Sequence, residues 1–126
     1  MRRPTDSELL ILRVLWDNGP CTVRDVHEAL VDVQSTGYTT TLKLMQIMAE
    51  KGLVTRDDSA RTHVYAARLP REAVQRQMVS DLMDRVFGGS ASALVLQALN
   101  SKATSPEELR EIRRLIDQFG QKKGAR

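Results

Sequence analysis

The sequence predicts a mainly α-helical fold with a small β-hairpin, on three observations. The stretch from Gly37 to Gly52 has helical spacing and closes on a glycine. Two short segments rich in β-formers follow it, Leu53-Val54-Thr55-Arg56 and a second around Thr62, Val64 and Tyr65, on either side of the turn-like Asp57-Asp58-Ser59-Ala60-Arg61. Two further helix starts precede it, and after Leu69-Pro70 the pattern is helical throughout. Three short helices and a hairpin make a winged helix-turn-helix, here with a C-terminal helical region. The expected division is a reader at residues 1–70 and a helical dimerisation region at 71–126.

The first helix should begin at the capping-box pattern Thr5-Asp6-Ser7-Glu8 and end before Asn18-Gly19-Pro20. Leu9, Leu10, Ile11, Leu12, Val14, Leu15 and Trp16 leave it little polar surface, which places it in a core. Thr22 and Asp25 start a second helix, with Val23, Val26, Leu30 and Val33 at helical spacing and Arg24, Asp25 and Glu28 facing out. In the third helix Thr41, Leu44, Met45 and Met48 fall on one face and Thr39, Lys43, Gln46 and Glu50 on the opposite one. Gly52 suits a left-handed C-cap.

Beyond Pro70, Ala73, Val74, Met78, Leu82, Met83 and Val86 mark another amphipathic helix, closed by Phe87-Gly88-Gly89. Ser92 to Leu99 is mostly apolar, and Ser105-Pro106-Glu107-Glu108 starts a last helix striped by Leu109, Ile112, Leu115, Ile116 and Phe119. Gln121 to Arg126 reads as a frayed tail. Three such helices cannot satisfy their apolar faces alone. A homodimer is therefore expected, with Met78, Leu82, Met83, Leu109, Ile112, Leu115 and Ile116 in its interface.

Composition narrows the function. None of the apolar runs among the 126 residues approaches the length of about 18 that spans a membrane, and Met-Arg-Arg-Pro lacks the apolar core of a signal peptide. The expectation is a cytoplasmic protein with no membrane partner. Cys21 is the one cysteine, which excludes an internal disulfide and a multi-cysteine metal cluster. With two histidines and no Gly-rich phosphate loop, neither an enzyme nor a bound cofactor or metal is expected. His27, among charged residues, reads as solvated or partly packed rather than as a metal ligand.

The net charge of +3 is weak evidence for nucleic acid, because residues 1–70 hold nine Lys/Arg against nine Asp/Glu. The local pattern says more, since no acidic residue occurs from Val33 through Ala49. The front of the third helix can therefore approach phosphates without like-charge repulsion. Candidate contacts to double-stranded DNA are Tyr38, Thr39, Thr40, Lys43 and Gln46 on this helix, and Arg56, Arg61 and His63 on the wing. The bland readings stand beside them. Lys43 and Gln46 also fit a solvated face, Thr39 and Thr40 also fit helix caps, His63 fits plain strand exposure, and Tyr65 fits packing of the hairpin onto the core. Asp57 and Asp58 argue against deep insertion of the wing tip. The alternative function is a winged-helix protein-interaction module.

Thr5-Asp6-Ser7-Glu8, Leu15-Trp16, Tyr38-Thr39-Thr40, Leu44-Met45-Gln46, Glu50-Lys51-Gly52-Leu53-Val54 and Val64-Tyr65, in this order, resemble the penicillinase-repressor family. The resemblance covers nearly the whole chain and is most specific over the first 70 residues. It implies a winged-helix dimer that represses transcription by covering a promoter dyad, typically with TACA/TGTA half-sites. In the type members a membrane-bound β-lactam sensor leads to proteolysis of the repressor, which implies a sensor-linked protease as a partner. The matching cleavage position here is Gln97-Ala98, where those members carry Asn-Phe. Ile47 stands where many relatives carry an arginine, and the paired Cys-x-Cys motifs of copper-responsive relatives do not occur.

Overall fold

The computed structural model describes residues 3–101 and 104–124. The elements are α1 Asp6–Asn18, α2 Val23–Leu30, α3 Tyr38–Lys51, β1 Val54–Asp57, β2 Val64–Ala67, α4 Arg71–Val86, α5 Ala91–Ser101 and α6 Pro106–Gly124. The described residues up to Ser80 form one compact unit and those from Asp81 onward a second. The compact units thus divide at 80/81, within α4, while the functional division is expected at 70/71. The first half of α4 belongs with the reader because Val74 is buried and Arg71 stacks on the Trp16 ring, 5.7 Å from its centroid.

Local chemistry sets the helix starts. Thr5 Oγ1 accepts the Glu8 N–H at 3.2 Å while Glu8 Oε1 accepts the Thr5 N–H at 2.9 Å, a complete capping box. Thr22 and Asp25 repeat it at α2 with both bonds at 3.1 Å. The outcome differs from expectation at the end of α2. The N–H groups of Val33 and Gln34 both turn back to the Leu30 carbonyl, which closes the helix and leaves Val33 63% exposed rather than on the apolar face.

Ile11, Leu12, Leu15, Val26, Met45, Met48, Leu53 and Tyr65 form the core that gathers α1, α2, α3 and the hairpin. Burying one aliphatic side chain of this size contributes about 1.5–3 kcal/mol, so these helices are fixed chiefly by their shared apolar faces. β1 and β2 pair antiparallel, with Val54 opposite Ala67 and Arg56 opposite Tyr65. Cys21 adds an isolated antiparallel bridge to β2. It exchanges two backbone hydrogen bonds with Tyr65, at 2.9 and 2.7 Å, and so ties the start of α2 to the wing. Gly52 ends α3 at φ 82°, where a Cβ would also sit 3.0 Å from the Arg68 guanidinium.

In the second unit, Ser105 Oγ caps α6 by accepting the Glu108 N–H. The helix runs on to Gly124, so the tail expected from Gln121 is helical as far as described; residues 125 and 126 lie outside the described residues. Lys122 and Lys123 in the last turn suit the negative end of the helix dipole, which lets α6 continue after its apolar stripe stops. From Asp81 onward no described residue is buried.

Candidate nucleic-acid interface

The outer face of α3 is as the spacing predicts. Thr39, Lys43, Gln46 and Glu50 are exposed, while Thr41, Met45 and Met48 are buried and Leu44 is half-buried. Thr39 and Thr40 do not cap the helix. Gly37 is the N-cap residue and no side chain caps it, so Thr39 and Thr40, both exposed, stand beside uncapped N–H groups at the positive end of the helix dipole. Gly37 precedes a helix in extended backbone and offers no side-chain acceptor, which is why capping fails here.

Tyr38, at the start of α3, is 42% exposed and is held from α2. The Arg24 guanidinium lies over its ring at 5.6 Å from the centroid, and His27 meets it edge-on at 6.0 Å. A cleft of about 500 Å³ opens beside this group, lined by Thr22, Arg24, Tyr38, Leu42, Arg61 and His63 among others. The structure thus brings Tyr38, Arg61 and His63 together and adds Arg24, which the sequence reading took only as an outward-facing charge. The i, i+3 spacing of Arg24 and His27 puts both on one side of α2, but nothing in that spacing points to Tyr38.

The wing divides its residues. Tyr65 is buried in the core, so it packs the hairpin there. Arg56 pairs with Asp58 at 3.3 Å and so already has a counter-ion within the wing. Asp57 accepts the Ser59 N–H at 3.0 Å, and the hydrogen bonds from Ser59 hold its carboxyl below the usual aspartate range. Arg61 and His63 are exposed on the edge that faces the cleft.

Behind α3 lies a part-buried ionic contact, with Glu8 buried and Lys51 half-buried. Burial raises the pKa of the Glu8 carboxyl, but the Lys51 ammonium at 2.8 Å and the bonds from Thr5 outweigh it and leave the group below its ordinary value. A carboxyl depressed in the folded state stabilises at pH above its unfolded value, and that stability is lost as pH falls through the folded value. The melting temperature of the protein should therefore drop on acidification from about pH 5 to pH 3, and less steeply in Glu8→Gln, as measured by thermal denaturation at a series of pH values. Equal slopes would show that Glu8 is not a principal acid-labile group.

Burial pushes the Cys21 thiol up, with Asp25 adding to the shift, so it stays protonated and is a poor nucleophile. Among the described residues no group of His, Cys, Asp or Glu is placed to share a metal ion, and no helix is long and apolar enough to cross a membrane.

Residues 4–118 match the penicillinase repressor family. The chain belongs to that family. It is 36% identical over 98 residues to the transcriptional regulator BlaI of Mycobacterium tuberculosis, covering 76% of this chain and 71% of that protein. With the penicillinase repressor of Bacillus licheniformis it shares 19% identity over 119 residues, 94% of this chain and 93% of the other. A solution structure of Bacillus licheniformis BlaI in monomeric form, in complex with the blaP half-operator, aligns with a TM-score of 0.49 at 19% identity, over 56% of this chain and 89% of that one. The named relatives are regulators of transcription and not enzymes.

The remaining candidates of this penicillinase-repressor chain fall on the helices after the hairpin. Leu82, Leu109, Leu115 and Ile116 are exposed, Ile116 to 59%, while Met78, Met83 and Ile112 are half-buried. Gln97 and Ala98 are exposed in the middle of α5. Ile47 is half-buried on α3, between the outer face and the core.

Proposed function

We propose that this chain is a dimeric transcriptional repressor that acts in the cytoplasm on double-stranded operator DNA. One observation carries the reading: in a chain of this family, the front of α3, acid-free as far as Ala49, stands beside the cleft of Arg24, Tyr38, Arg61 and His63. A helix of 14 residues, about 21 Å long, fits the major groove, which is about 12 Å wide. In this reading Lys43 and Gln46 meet base edges or phosphates, and Thr39, Thr40, the open N–H groups of α3, Tyr38, Arg24, Arg61 and His63 meet phosphates, with Arg56 at the periphery because Asp58 already pairs with it.

Homodimerisation through Met78, Leu82, Met83, Leu109, Ile112, Leu115 and Ile116 is supported by the second unit, where exposed apolar side chains accompany a lack of any buried described residue. Two linked readers would engage half-sites about one helical turn, or a multiple, apart. Release by a sensor-linked protease would require a cut that parts the reader from Leu109, Ile112, Leu115 and Ile116 of the dimeriser. Gln97-Ala98 is the candidate bond, and it lies within a helix that must unwind before cleavage.

Lys43→Ala tests the reading. If the lysine reads a base, operator binding weakens by about 1–3 kcal/mol with discrimination relaxed at one position. If it meets a phosphate, all sequences weaken alike and the salt slope falls by about one. Unchanged affinity and slope in a folded variant would return Lys43 to a solvated face.

A further inference from the structure

Glu8 is the one buried carboxylate among the described residues, at 2% exposure, and nothing in DNA binding as proposed uses it. Its two oxygens have different partners. Oε1 accepts the Thr5 N–H in the capping box, and Oε2 takes the Lys51 ammonium at 2.8 Å. Lys51 is the last residue of α3, so the contact joins the first turn of α1 to the end of the helix that carries Lys43 and Gln46. The neighbouring residue on α1 reaches the other end. Ser7 Oγ accepts from the Gln34 amide at 3.2 Å, in the segment leading into α3.

The underside of α3 makes such struts consequential. Its deepest side chains are Met45 and Met48, both fully buried, and methionine is unbranched and adapts to irregular space. A methionine floor holds a helix down but defines its sliding and rotation poorly. An ion pair has a short fixed length, and a misplaced partner would leave a buried carboxylate without its cation. Buried ion pairs seldom exceed well-packed apolar replacements in stability, and their best-attested use is to select one register among several.

We propose that Glu8 and Lys51 are a positioning pair that sets the register of α3 on α1, and through it the discrimination between operator and other duplexes. The inference rests on the DNA-binding reading above. The pair lies behind the helix and supplies no cation to the phosphates, so its effect falls on base readout and spares backbone affinity. Ser7 and Gln34 support the same pose from the other end.

The test replaces the pair by apolar side chains, Glu8→Leu with Lys51→Met, in the full chain. Binding is measured on the duplex that the wild-type chain selects from a random-sequence pool, and on a scrambled duplex of the same composition, across a salt series. The expected result is a loss of roughly ten-fold in affinity for the selected duplex, about the worth of one base contact, with scrambled-duplex affinity and salt slope unchanged. Lys51→Arg, which keeps the ion pair, should retain the wild-type ratio. A folded double variant with the wild-type ratio of selected to scrambled affinity overturns the positioning role and leaves DNA binding intact. Equal losses on both duplexes overturn it too, by showing a general structural defect. If the wild-type chain binds neither duplex in a salt-dependent way, the DNA-binding reading fails and this inference falls with it.

Discussion

A fragment ending at Ser80 should bind the operator about 10² to 10⁴ times more weakly than the full chain, because a lone reader loses the effective concentration supplied by a tethered second one. The cut belongs at 80/81 rather than 70/71, since Val74 and Arg71 pack with α1 and their removal would confound lost tethering with damage to the reader. Gel-shift titrations of fragment and full chain on one duplex give the ratio. Sedimentation of the full chain at micromolar concentration supplies the companion result, a dimer. A fragment that binds as tightly as the full chain, or a full chain that sediments as a monomer, would remove dimerisation as the basis of tight repression and of any release by proteolysis.

Met48→Ala should destabilise the reader by about 2–5 kcal/mol, since the side chain is fully buried beneath α3 and its truncation leaves a cavity. Small domains have only about 5–15 kcal/mol in all. For a unit of this size each 1 kcal/mol shifts the melting temperature by roughly 4–8 °C, so a fall of about 10 °C or more is expected by circular dichroism. Lys43→Ala, on the opposite face of the same helix, should leave the melting temperature nearly unchanged. A small shift for Met48→Ala would mean that α3 is not anchored as described.

The parts of the fold legible in the sequence are those decided within a few residues. Thr5 with Glu8, and Thr22 with Asp25, were readable as caps because the bond joins a side chain to a backbone group three residues away. The two faces of α3 were readable because apolar and polar positions alternate at helical spacing. Long-range contacts left no such trace. The Glu8–Lys51 pair, the Cys21–Tyr65 bridge and the Trp16 indole donating to the Leu69 carbonyl join residues far apart in the chain, and no local pattern announces any of them.

The misreadings share a physical cause. Val33 kept the apolar period of α2, but the backbone had already turned at Leu30. Gln121 to Gly124 lost that period, yet a helix needs no apolar stripe to continue when its last turn carries cations. Thr39 and Thr40 have capping side chains but lie inside α3, one and two residues past its first position. On the candidate site, the α3 residues were legible from charge and spacing. Arg24 was not, because its place beside Tyr38 depends on how α2 packs against α3.

The most direct measurement is a salt titration of DNA binding by the full chain. If α3 and the basic cleft meet phosphates, the logarithm of the binding constant should fall linearly with the logarithm of salt concentration, with a slope of about −0.9 for each phosphate neutralised. A slope corresponding to several phosphates is the expected result. Affinity for duplex DNA that is absent, or indifferent to salt, would contradict the nucleic-acid interface and favour a winged-helix module that binds protein.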